Sequence, residues 1–158
     1  MILPLIKTHW GTTVHKWHVF RFMLKVCILL MWKAIKHDLS KYSKDEASAF
    51  TKAGRLKNLT YGSDEYKLQI RELLGPALDH HYEHNAHHPE HYKRLGIDGM
   101  DLLTEIEMLV DWRAATLRHK DGNIGRSIII NQERFGYDSR RARRYHRTIE
   151  ALNLELEN

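Results

Sequence analysis

The chain is poor in the residues that staple or punctuate a fold. One cysteine among 158 residues excludes an internal disulfide framework. Cys27 lies in an apolar stretch, where a buried thiol is the ordinary reading, and a reducing cytoplasmic setting is the expectation. Three prolines and nine glycines leave few breaks, and there is no repeat, low-complexity tract or interdomain linker. Strand-like alternation is nearly absent, which argues against a sheet. Long apolar runs are missing too. Val26 to Trp32 covers seven residues between Lys25 and Lys33, too short to span a bilayer. Met1 to Ile6 lacks a basic leader and a small-residue cleavage site, so neither a signal peptide nor a membrane partner is expected.

What is present is helical periodicity, positive charge and histidine. The length suits one domain over residues 1–158 with a proper core. The formal charge of +5 favours anionic partners, phosphorylated metabolites or nucleic acid. Residues 12–27 and 30–38 read as two helices. Ser43 with Glu46 three residues on has the form of a capping box opening a helix through Phe50. Residues 54–62 read as a loop. Ser63 can cap a helix that Gly75-Pro76 kinks, and Pro89 biases His88 away from helical angles, so this helix should end near His87. A helix opening at Asp98 or Gly99 carries Leu102, Leu103, Ile106, Val110 and Ala114 on one stripe and should end before Asp121-Gly122. A short helix over 124–134, an interruption at Gly136 and a basic helix capped by Ser139 complete the chain. The expected fold is all-α, a compact bundle of about six or seven helices with its core over roughly 12–135.

Twelve residues are histidine, six of them between His80 and His91. The doublet His37-Asp38 can offer one ion two adjacent ligands. Together with His15, the histidine block and Asp111, it supplies the imidazoles and carboxylates that Zn, Fe, Mn, Co or Ni accept. Within the block, His81, Asn85 and His88 follow one helical stripe, and His80, His84, His87 and His91 its neighbour. Each piece has a plain reading as well. His15 is an isolated helix histidine, the block is a solvated histidine-rich helix, and Asp111 needs a partner that Arg113, Lys41 or a cap can supply. One straight helix over 12–38 would hold His15 and His37 roughly 33 Å apart. Sharing an ion therefore demands a turn, most plausibly between Ile28 and Met31, where no glycine or proline marks one.

Four stretches, His15-Lys16-Trp17, His37-Asp38-Leu39-Ser40-Lys41-Tyr42 with Glu46, His81 with Asn85-Ala86-His87-His88, and Glu107 to Trp112, resemble the H…HD…D signature of the HD superfamily of metal-dependent phosphohydrolases. More closely, the chain resembles an HD-like family of phages and bacteria, which implies the cytoplasm, or a host's cytoplasm, as its location. The resemblance implies an all-helical bundle with His15, His37, Asp38 and Asp111 holding a first divalent ion. It implies His81 and one of His87 or His88, the latter preferred, for a second ion, and Lys41 for phosphate binding.

The implied activity is hydrolysis of a small phosphoester, a nucleotide above all, by metal-activated water. Asp38 would be a bridging ligand, Lys41 would neutralise phosphoryl charge, and Asn85 or His87 would donate to the leaving oxygen. For Lys41 a solvated side chain is an equal reading, and for Glu46 capping outweighs catalysis. Two other classes stay open. HD folds also hold di-iron oxygenases. The run Arg140 to Arg147 forms a basic helix able to grip nucleic-acid phosphates, although such runs are usually solvated faces.

Overall fold

The computed structural model describes residues 2–53, 63–118 and 122–155, with backbone alone for 2–8, 53, 66 and 67. The loop expected over 54–62 and the helix end expected before Asp121 lie outside these residues. The described chain is all-α. Its helices are α1 (Ile2–Lys36), α2 (Ala47–Ala53), α3 (Asp64–His84), α4 (Leu102–Thr116), α5 (Ile124–Phe135) and α6 (Ser139–Ala151). Short 3-10 turns cover Leu39–Tyr42, Pro89–Tyr92 and Gly96–Gly99. Among the described residues no helix is long and apolar enough to cross a membrane. By contact the chain groups into two units, Met1–His37 and Asp38–Asn158.

The first unit corrects two expectations. α1 runs without a break through Ile28 to Met31, so the two helices expected there are one. The local sequence explains why: Leu, Met, Lys and Ala favour helix, and from Thr12 to Lys36 nothing interrupts it. With no turn to fold the helix back on itself, Cys27 is exposed rather than buried.

In the second unit, α4, α5 and α6 build the apolar core. Met108, Leu109, Trp112, Ile128, Tyr145 and Ile149 are among its buried members. Trp112 stacks on Phe135 at 6.3 Å and meets Tyr145 edge-on at the same distance. The buried face of α4 differs from the stripe read off the sequence. Leu102, Val110 and Ala114 are exposed, whereas Thr104, Glu105, Met108, Leu109, Trp112, Arg113 and Thr116 are buried. The polar members tolerate burial because each is satisfied. Glu105 Oε2 accepts from Arg144 Nη2 and Tyr145 Oη, both at 2.8 Å, and Arg113 donates to the Leu154 carbonyl and the Thr116 hydroxyl. A count of apolar periodicity is blind to such partners.

Helix ends follow side-chain chemistry. Asp101 caps α4 through Thr104 N, so this helix starts later than Asp98. Asp138, not Ser139, caps α6 through Arg141 N. Gly136 closes α5 at φ +68°, a conformation that glycine adopts without strain. Gly75 (φ +33°, ψ −116°) breaks α3 as its Gly-Pro pair requires, and His88 is extended ahead of Pro89.

Candidate metal centre

The second unit opens on a strained residue. Asp38 has φ +57° and ψ +20°, the left-handed region that aspartate tolerates better than most side chains. The turn that follows, Leu39–Tyr42, lies against α2 and α3. From the other direction, α3 delivers His81, buried at 2 % exposure. The helix ends at His84, and the non-helical bend through Asn85 to His88 then turns both His87 and His88 inward. That bend is why the two-stripe reading of the block fails for His87: helical spacing stops three residues before it. His80 and His84 do keep the outer stripe, stacked at 4.0 Å, and His91 bonds the Tyr82 carbonyl.

Ligand-type atoms of Asp38, His81, His87 and His88 all lie within 4.8 Å of one another. Asp38 Oδ1 is 3.3 Å from His81 Nε2 and 3.4 Å from His87 Nε2. His81 Nε2 and His88 Nε2 face each other at 2.9 Å. Ligand bonds of ~2.1 Å in tetrahedral geometry hold donor atoms roughly 3.4 Å apart, which is the spacing around Asp38. Asp111, on α4, has a carboxylate oxygen within 4.8 Å of a His87 nitrogen.

The far sides of the rings decide their orientation. Glu46 is completely buried, and its two oxygens accept from His80 Nδ1 at 2.7 Å and His81 Nδ1 at 2.9 Å. With the proton of His81 on Nδ1, the lone pair on Nε2 faces Asp38. Behind His87, Nδ1 lies 3.6 Å from Glu107 on α4. A carboxylate behind each imidazole is the arrangement that fixes tautomer and raises donor strength in metal-ligating histidines. Glu46 therefore does not close the capping box expected with Ser43, whose hydroxyl is buried without a hydrogen-bond partner. Sequence alone missed this role. The signal available was the match of Glu46 to a buried helix end facing a histidine pair, which only tertiary packing creates.

Burial sets the protonation. It lowers the pKa of His81 against the opposing pull of Asp38. For His88, burial first and then the rings of His87 and His81 push the pKa down to about 2. Burial alone would raise Glu46, but hydrogen bonds from His80, Ser40 and His81 more than offset it, and its pKa falls below the usual value. Near neutral pH His81 and His88 are thus neutral and Glu46 behind them is ionised, and neutral imidazole is the state that ligates metal.

The remaining candidates divide. Lys41 Nζ sits 2.5 Å from Asp38 Oδ2, so it is paired with the doublet while its side chain stays partly exposed. Asn85 spends its amide inside the fold, donating to the Ser40 hydroxyl at 2.6 Å and the His81 carbonyl at 2.8 Å. This makes it a tie between α3 and the 39–42 turn rather than a donor to a leaving group. His37 ends the first unit, one peptide bond before Asp38. His15 is exposed in mid-α1. On an unbroken helix it stands roughly 33 Å from His37, so the two cannot share an ion and the expected four-ligand set loses His15.

A protein-family model matches residues 7–157. The chain belongs to DUF5662, a family of unknown function. No curated protein and no solved structure matches. Because the match runs from α1 to the end of α6, the histidine centre lies within the part of the chain that defines DUF5662.

Proposed function

We propose that this DUF5662 protein is a metal-dependent hydrolase of phosphoesters, with nucleotides as the substrate class. The observation that carries the reading is the paired construction of His81 and His87. Each turns one nitrogen to a carboxylate and the other to Asp38. Asp38, His81, His87 and His88 would hold the ion, with Asp111 beside His87. A bound divalent ion supplies hydroxide near neutral pH and polarises a phosphoryl oxygen. The residues do the rest. Asp38 divides its oxygens between the imidazoles and Lys41, so the ammonium stands at the edge of the cluster, where phosphoryl charge would gather. Glu46 and Glu107 hold the rings against rotation. The overall charge of +5 favours an anionic substrate, and the likeness to the HD superfamily points the same way.

The test uses protein without a histidine tag or added metal. Elemental analysis should find a divalent transition metal near one or two equivalents, and a screen of phosphoesters with Mn, Fe, Co, Ni and Zn should find turnover. Asp38→Ala should lose both. Full metal content and full turnover in that variant would sink the assignment. Metal without phosphoesterase activity, accompanied by oxygen uptake, would move it to the oxygenase class.

A further inference from the structure

A second polar cluster lies in the same unit and shares no residue with the histidine centre. Where α5 gives way to α6, a pocket of about 460 Å³ is lined by Asp98, Gly136, Tyr137, Asp138, Arg140, Arg141 and Arg144. We propose that this corner is a phosphate-binding site, for the phosphate of a nucleotide or of a nucleic-acid backbone.

Three guanidiniums line the pocket, and two are held in place by carboxylates on other elements. Arg141 Nη1 donates to Asp98 Oδ1 at 2.6 Å, and Arg144 Nη2 to Glu105 Oε2 at 2.8 Å, with the Arg144 guanidinium 5.9 Å from the Tyr145 ring. Each of these bonds uses one of five N–H donors, so the forks are oriented but not exhausted. Arg140, in the first turn, is exposed. The two carboxylates in the lining are occupied: Asp98 by Arg141, and Asp138 by the backbone of Arg141, to which its Oδ1 is 2.7 Å. The Tyr137 hydroxyl donates to the Ile128 carbonyl at 2.5 Å.

The N-cap carboxylate of Asp138 already offsets the positive end of the α6 dipole, so an anion here would rest on the guanidinium forks. Planar forks around a cavity of nucleotide size suit a tetrahedral dianion better than an apolar group. Beyond the pocket, Arg143 and Arg147 are exposed further along α6, on the path a polymeric ligand would take.

The test titrates the full chain with inorganic phosphate, with a nucleoside monophosphate and with a single-stranded oligonucleotide, following the α6 amides by NMR. Arg140→Glu serves as the variant, because Arg140 is exposed and its loss should leave the melting temperature unchanged. Phosphate should bind, and the variant should weaken it about tenfold or more. A salt-sensitive gain of affinity for the oligonucleotide identifies nucleic acid as the source; equal affinity for monophosphate and oligonucleotide identifies the small molecule. No binding of any of the three at low salt, or binding that Arg140→Glu leaves unchanged, overturns the site. Metal content is untouched by this variant, so the outcome is independent of the hydrolase reading.

Discussion

The second unit builds two polar clusters from opposite kinds of base. In the histidine centre, burial keeps His81 and His88 neutral, and His81 and His87 each turn Nε2 toward one carboxylate. At the α5–α6 corner the bases are arginines, which keep their charge whatever their surroundings, so carboxylates must hold them. On the two proposals above, the first construction would take a cation and the second an anion. The difference is taught by side-chain pKa, and α4 contributes a carboxylate to each cluster. Glu107, behind His87, and Glu105, behind Arg144, are two residues apart on α4 and face the two clusters separately.

The largest effect should come from the carboxylate at the centre of the first cluster. Asp38→Ala should reduce bound metal to background and phosphoesterase turnover by more than ~100-fold, read by elemental analysis and steady-state assay. Glu46→Gln tests whether ring orientation matters beyond packing. It keeps the side-chain volume but accepts from one histidine only, so metal affinity should fall about 10- to 100-fold while far-UV circular dichroism stays native. Unchanged affinity in a competition titration would reduce Glu46 to a structural link.

On the other side of the comparison, Glu105→Gln should leave metal content alone. It should lower stability by about 1–3 kcal/mol in urea melts, because Arg144 and Tyr145 lose a charged acceptor. The smallest effect is a slope with pH. His88 titrates near 6.5 when unfolded and about 2 when folded. Below pH 6.5 the unfolded chain therefore takes up a proton that the native chain refuses. Metal-free protein should lose up to about 1.4 kcal/mol per pH unit as acid is added below that point, and this group should contribute no slope above it. A flat melting temperature from pH 7 to 5 would show that His88 is not neutral and enclosed.

How far the sequence carried depended on how local the cause was. All-α architecture, the break at Gly75, extended His88 before Pro89 and the stop at Gly136 each follow from one or two residues, and each is present. Several failures involve partners distant in sequence. No pattern within α4 reveals that Glu105 and Arg113 are buried, because their acceptors and donors come from Tyr145, Arg144 and Leu154. His87 looks outward if helical period is extended to it, and only the helix end at His84 brings it in. Glu46 carries the sequence signature of a cap and is used instead to hold two rings. The turn wanted between Ile28 and Met31 had no residue to make it, and α1 passes straight through.

The left-handed backbone at Asp38 has a consequence for whoever engineers this position. Alanine there would discard the charge and also oppose the φ angle, so a dead variant would leave charge and conformation entangled. Asparagine is the side chain that accepts this angle most readily after glycine. Replacing Asp38 with it removes a formal charge while sparing the bend, which makes one amide-for-carboxylate exchange the cleaner instrument for asking what the chain's second unit was shaped to hold.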